Sequence, residues 1–322
     1  MNEDTLVFLD AGSIGGDIVW PDFSAFGRVV RYEQTLAHET LERVREASFI
    51  LTNKVTVTAA HIEAAPRLRY IGTLATGYNQ VDTEAAAKRG VPVCNVPAYS
   101  TPSVAQHVIA LMLSLAADMG PLSHSVRNGD WAVSPQFCYW LKPIVELDGK
   151  TLGIVGFGDI GHRVARIANA MGMKVIAYAP RPKPAPDFGP FAFVDRDTLF
   201  READVVTLHC PLTPETEGMV DLALLRSMKR GAYLINTARG PLINETDLRQ
   251  ALEEGLIAGA GLDVVAVEPM RNDNPLRTAP NCIITPHVAW AGIQSRIRLM
   301  QGAYDNIAAF LAGRPVNVKN GV

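Results

Sequence analysis

The sequence predicts an α/β protein of two parallel-sheet domains with a cleft between them, and three observations carry that reading. Short apolar runs alternate with segments of 3.6-residue period through nearly the whole chain. Such a βαβα order gives a parallel sheet with right-handed crossovers and helices on both faces. The runs fall into two series, separated by the polar and aromatic loop Ser123–Lys150. Finally, 322 residues are more than one core comfortably serves, since a domain takes about 150.

In chain order, the first series of strands is Thr5–Leu9, Arg28–Tyr32, Ser48–Thr52, Tyr70–Leu74 and Val91–Asn95, with helical segments at Glu39–Glu46 and Asp82–Arg89. Val104–Ala117 is apolar almost all round and reads as a buried helix started by Thr101, Pro102 and Ser103. The second series is Thr151–Val155, Lys174–Tyr178, Val205–His209, Ala232–Asn236, Gly259–Asp263 and Cys282–Thr285. Pro182, Pro184, Pro186 and Pro190 exclude regular structure over Arg181–Pro190. A terminal helix, Gln294–Leu311, follows the last strand, and pattern alone leaves open which unit it joins.

Charge narrows the function classes. With 30 Lys and Arg against 33 Asp and Glu, the net charge is −3, so no basic excess exists to release counterions from a nucleic-acid backbone. No apolar run reaches the roughly 18 residues of a membrane span. The acidic opening MNEDTLVFLD lacks the basic flank of a secretory signal. Cys94, Cys138, Cys210 and Cys282 are scattered without a CxxC pair, which suggests neither a zinc site nor a disulfide framework. The expectation is a reduced, cytoplasmic protein with a small-molecule partner, no nucleic acid, no membrane and no metal.

The strand Thr151–Val155 runs into Gly156-Phe157-Gly158-Asp159-Ile160-Gly161 and then the helical run Val164–Met171. Strand before and helix after make this glycine spacing a dinucleotide site. Gly156 makes the tight turn, Gly158 lets the backbone approach a pyrophosphate, and Gly161 lets helix and strand pack closely. About 20 residues on, an acid ordinarily holds the ribose 2′-hydroxyl. Here Ala179 ends that strand, and Arg181 and Lys183 follow. The alanine accepts no hydrogen bond, and the two cations suit a 2′-phosphate or else a solvated loop. The cofactor expected is NAD(P)H, leaning to NADPH.

Three groups stand at strand ends of the second series, where open α/β sheets bind ligands. Arg239 suits a bidentate grip on a carboxylate. His287 is a proton donor, and a carboxylate such as Glu268 would orient its ring and favour the protonated form. Grip, donor and orienting acid are what hydride reduction of a 2-oxo acid requires.

Further stretches now identify a family. Tyr70–Asp82, Val93–Ala105, Gly153–Gly161, His209–Thr213, Leu234–Gly240, Leu262-Asp263, Glu268-Pro269 and Pro286-His287 resemble, in order and over essentially the full length, the D-isomer-specific 2-hydroxyacid dehydrogenases. Pro135–Trp140 is most similar to the glycerate dehydrogenase/hydroxypyruvate reductase branch. The resemblance implies two Rossmann-like or flavodoxin-like domains. Residues 1–98 with 289–322 would bind the substrate, and residues 99–288 the dinucleotide. It implies a catalytic set of Arg239, Glu268 and His287, and carboxylate binding at Ala75, Thr76 and Gly77. It adds Thr101, His209, Cys210, Pro211, Thr237, Ala238 and Asp263 to the cofactor cleft. It also implies a homodimer, through Val104–Ala117 and the loop Ser123–Trp140, and reduction of glyoxylate or hydroxypyruvate. Two departures stand out: Ala179 replaces the acid of NAD-specific members, and Gln106 replaces a common Glu. Dinucleotide-sensing corepressors share the fold and the triad, but the long tail such proteins often carry is missing here. A phosphoglycerate-type dehydrogenase is disfavoured because the chain ends at Val322 without a regulatory domain.

Overall fold

A computed structural model describes residues 4–181 and 183–322; Pro182 of the proline-rich loop lies outside the described residues. The chain divides into two units, Met1–Ser100 with Ala291–Val322, and Thr101–Trp290.

The first unit contains β1 (Thr5–Phe8), β2 (Arg28–Arg31), α1 (Thr40–Val44), β3 (Phe49–Thr52), α2 (Ala59–Glu63), β4 (Tyr70–Thr73), α3 (Thr83–Lys88) and β5 (Val93–Cys94). Its sheet is parallel in the order β2-β1-β3-β4-β5. β3 and β4 are buried along their whole length, so both read as continuous apolar runs rather than alternating ones. Asp82 caps α3 by accepting the Ala85 N–H at 2.9 Å, the usual role of an Asp just before a helix. The terminal helix, Ile293–Leu311, belongs to this unit.

The second unit opens with α4 (Thr101–Ala117) and α5 (Met119–Arg127). There follow β6 (Thr151–Val155), α6 (Asp159–Ala170), β7 (Lys174–Tyr178), β8 (Phe191–Phe193), α7 (Arg196–Glu202), β9 (Val205–Leu208), α8 (Leu222–Ser227), β10 (Tyr233–Asn236), α9 (Glu245–Glu253), β11 (Gly259–Leu262) and β12 (Cys282–Ile284). The sheet is parallel throughout, in the order β12-β11-β10-β9-β6-β7-β8. The small residues Gly259-Ala-Gly261 have a packing reason. A Cβ on Gly261 would stand 3.1 Å from the Leu111 Cβ and one on Gly259 3.2 Å from Leu115 Cδ2, so α4 lies directly on β11. The terminal helix, introduced above, is α10.

Four expectations need correction. The Ser123–Lys150 loop starts only after α5: Pro121 sits in the first turn, where its missing N–H costs nothing. α4 is buried along one face only, with Leu113 39% exposed on the other. β8 was not foreseen, because three residues after a proline-rich loop give too short a pattern; its Phe191 and Phe193 rings pack 5.0 and 5.4 Å from Phe157. The expected strand Val91–Asn95 shortens to Val93–Cys94. Among the described residues no single helix is long and apolar enough to cross a membrane.

Candidate active site

The sheet order of the second unit reverses direction at β6, where β9 lies on one side and β7 on the other. The carboxyl ends of strands at such a switch point form a ligand crevice. Gly156 leaves β6 with φ +94°, and a Cβ there would meet the His209 carbonyl and Cys210 N at 2.7 Å. A Cβ on Gly161 would stand 2.4 Å from the Gly156 carbonyl oxygen, so both positions exclude any other residue. Gly158, the N-cap of α6, is different: a Cβ there meets nothing within 4 Å. The protein's own packing therefore does not demand glycine at 158, whereas close approach of a pyrophosphate to the helix N-terminus does. Thr237 Oγ1, after β10, is buried with no hydrogen-bond partner among the described residues. These features fit a dinucleotide on this edge.

Phe157 is buried beneath the β8 aromatics, and Asp159 and Ile160 open α6. Ala179 follows β7 half-buried, while Arg181 and Lys183 are exposed and make no ion pair among the described residues. His209 and Cys210 leave β9 and Pro211 follows them. Burial pushes the His209 imidazole down to about 3 and the Cys210 thiol up to about 11, with Cys282 up to about 12. Near neutral pH these groups are uncharged, so neither cysteine offers a thiolate and His209 is no imidazolium acid. Thr101 begins α4 at the start of the unit.

Asn236, fully buried at the end of β10, ties the next turn together. Its side chain accepts the Ala238 N–H at 2.9 Å and donates to the Arg239 carbonyl at 2.8 Å. The Arg239 guanidinium is exposed, with Nη1 donating to the Ala238 carbonyl at 2.7 Å. A Cβ on Gly240 would overlap the Val265 carbonyl carbon at 1.9 Å. The turn carrying Arg239 thus lies against the loop that carries Glu268. That loop is held by Glu245, whose carboxylate accepts the Ala266 N–H at 2.7 Å and the Asn274 amide at 2.9 Å.

His287 and Glu268 are in direct contact. Glu268 Oε2 lies 2.6 Å from His287 Nδ1, and its Oε1 accepts the Val265 N–H at 3.2 Å. His287 Nε2 makes no hydrogen bond among the described residues. The histidine backbone is left-handed, with φ 54°, and Asp263 explains how that is sustained. Its carboxylate, 1% exposed, accepts the N–H groups of Val288 (2.9 Å) and Ala289 (2.8 Å) and the Thr285 hydroxyl (2.6 Å). His107 on α4 reaches Thr285 Oγ1 at 2.9 Å. Asp263, expected beside the nicotinamide, thus has both oxygens engaged in bracing the His287 loop. Thr285 and His107 were not singled out from sequence, although a histidine among the apolar residues of α4 was a signal for a buried polar contact.

In the first unit, Ala75, Thr76 and Gly77 follow β4. Among the described residues none of their three N–H groups donates to a protein acceptor. Consecutive unspent amides at a strand end are donors available to an anion.

The family model for "D-isomer specific 2-hydroxyacid dehydrogenase, NAD binding domain" matches residues 109–289. A hydroxypyruvate reductase of Blautia hydrogenotrophica is 44% identical over 319 residues, 98% of this chain and 99% of that protein. A glycerate dehydrogenase of Methylorubrum extorquens is 43% identical over 97% of this chain and 98% of its own. Among solved structures, an NADPH-dependent glyoxylate/hydroxypyruvate reductase of Sinorhizobium meliloti, in complex with NADP and malonate, superposes with a TM-score of 0.84 at 27% identity. That match covers 98% of this chain and 97% of the other. The chain belongs to the D-isomer-specific 2-hydroxyacid dehydrogenases and is an oxidoreductase of D-2-hydroxy acids that uses a nicotinamide cofactor.

Proposed function

We propose that the enzyme is a cytoplasmic, NADPH-preferring reductase of hydroxypyruvate and glyoxylate. The observation that carries the reading is the 2.6 Å His287–Glu268 contact with Nε2 left open, on the sheet edge that holds the glycine turn. The second unit takes the dinucleotide, and the first takes the substrate carboxylate on the amides of Ala75–Gly77. Arg239 grips the same substrate through its forked donors. When bound, the nicotinamide supplies the hydride that reduces the 2-oxo carbon. His287 gives its Nε2 proton to the carbonyl oxygen as charge develops there, and Glu268, 2.6 Å from Nδ1, holds the ring in place. The relatives named for hydroxypyruvate, glycerate and glyoxylate support this substrate class. A panel of 2-oxo acids assayed with both cofactors tests it: hydroxypyruvate and glyoxylate should lead, and turnover of neither would overturn the reading.

Cofactor choice rests on Ala179, Arg181 and Lys183. NADPH should exceed NADH in kcat/KM by about tenfold, roughly 1.4 kcal/mol, through the two unpaired cations. Ala179→Asp should swing the ratio toward NADH by supplying a 2′-hydroxyl acceptor and repelling the phosphate. An unchanged ratio would show that position 179 does not face the ribose.

The exposed apolar side chains after α5 support a homodimer. Phe137 is 91% exposed and Val133 84%, with Trp140 and Ile144 also open, and the uncovered face of α4 adds Leu113. Several large apolar side chains exposed within one short segment favour an interface. Sedimentation should give a species of twice 34.9 kDa.

A further inference from the structure

Three asparagines of the first unit close a ring of hydrogen bonds. The Asn95 N–H donates to the Asn317 carbonyl at 3.3 Å, the Asn317 side chain donates to Asn306 Oδ1 at 2.9 Å, and the Asn306 side chain donates to the Asn95 carbonyl at 2.8 Å. Asn95 and Asn306 are each 3% exposed. Beyond the ring, the C-terminal segment is fastened along β5 and the residues just before it. Val318 bridges Cys94, Lys319 N donates to the Val93 carbonyl at 2.8 Å, and the Asn320 amide bonds Val93 N and the Val91 carbonyl. One bond leaves the ring: Asn95 Nδ2 donates to the Thr76 carbonyl at 2.6 Å. Among the described residues Asn95 Oδ1 is buried without a partner, a cost that an apolar residue would avoid. What the side chain contributes is its donor.

Peptide planarity turns that donor into a lever. The carbonyl of Thr76 and the N–H of Gly77 share one plane and point opposite ways when the bond is trans. Drawing the Thr76 oxygen inward aims the Gly77 N–H outward. Val96 N does the same one plane earlier, donating to the Ala75 carbonyl at 3.0 Å and so aiming the Thr76 N–H. We propose that Asn95 is a positioning residue for the substrate-carboxylate loop, held in place by Asn306 and by Asn317 of the C-terminal segment. The proposal rests on the reading that Ala75–Gly77 binds the substrate carboxylate.

The test compares KM for hydroxypyruvate with KM for its methyl ester, whose carboxyl group carries no charge. Native enzyme should prefer the acid strongly; no preference would overturn the underlying reading. Asn95→Leu keeps a similar volume, adds no charge and cannot donate to the Thr76 oxygen. It should lower the ester-to-acid KM ratio at least fivefold, with kcat for the acid within about threefold and KM for NADPH unchanged. Asn317→Gly is the milder variant, because glycine keeps the left-handed backbone of φ 58° while deleting the side-chain donor. It should lower the ratio about twofold and carries the test where Asn95→Leu does not fold. A ratio unchanged in the folded variants, beside strong native discrimination, would overturn the lever and leave the carboxylate reading standing. A fall in kcat at constant KM would overturn it equally, since it would place Asn95 in the chemistry rather than in binding.

Discussion

His287→Asn should lower kcat/KM for 2-oxo acid reduction by about 10²- to 10⁴-fold, the span general acid catalysis ordinarily supplies. Asparagine is the informative replacement. His287 holds φ 54°, a conformation asparagine tolerates better than alanine, so backbone strain does not confound the result. The loop itself is held by Asp263 through Val288 and Ala289, independently of the imidazole. Thermal stability should therefore change little, because the side chain is a quarter exposed and its removal opens no core cavity. Steady-state reduction with saturating NADPH and hydroxypyruvate, beside a melting curve, checks both halves. Activity within threefold of native would remove His287 as the acid.

Arg239→Lys should cost about 30-fold or more in kcat/KM. An ammonium keeps the charge but loses the planar fork that meets a carboxylate with two parallel bonds. Loss of one charge-assisted hydrogen bond, about 2 kcal/mol, corresponds to that factor. The turn should survive the change, because its conformation is set by Asn236 and by the tight seat of Gly240 on Val265. The penalty should appear with the acid and shrink with an uncharged ester. Parameters within threefold of native would mean that Arg239 is not the anchor.

Much of this was legible in the sequence because parallel strands buried on both faces are written as unbroken apolar runs. Thr151–Val155 and Lys174–Tyr178 appear in the structure with the expected bounds, and their strand–glycine–helix context located the dinucleotide edge. Where the pattern was short or interrupted, it misled. β8 has three residues, and α5 runs on into the segment from Ser123 that reads as loop. The burial of α4 was overread, since composition does not distinguish a face packed on β11 from one left open for another surface. The site separates along the same line. Arg239, Glu268 and His287 stand at strand ends and carry chemistry-bearing side chains, so sequence pointed to them. The clamp that Asp263 makes on the His287 loop depends on groups brought together across 22 to 26 residues, and the asparagine ring behind Thr76 on bonds that span 19 residues from Asn95 to Thr76 and 211 from Asn306 to Asn95. Sequence spacing holds no trace of those bonds.

Hydroxypyruvate reduction in native enzyme, in Glu268→Gln, in His287→Asn and in the double variant tests the central claim most directly. Glu268 Oε2 lies 2.6 Å from His287 Nδ1, so the account makes the carboxylate a positioning residue that acts only through the ring. Glu268→Gln should then lower kcat/KM by about tenfold when His287 is present, and should add almost nothing once His287 is already Asn. Activity of Glu268→Gln within threefold of native, or the same tenfold loss on top of His287→Asn, would contradict the account and remove Glu268 from the proton transfer.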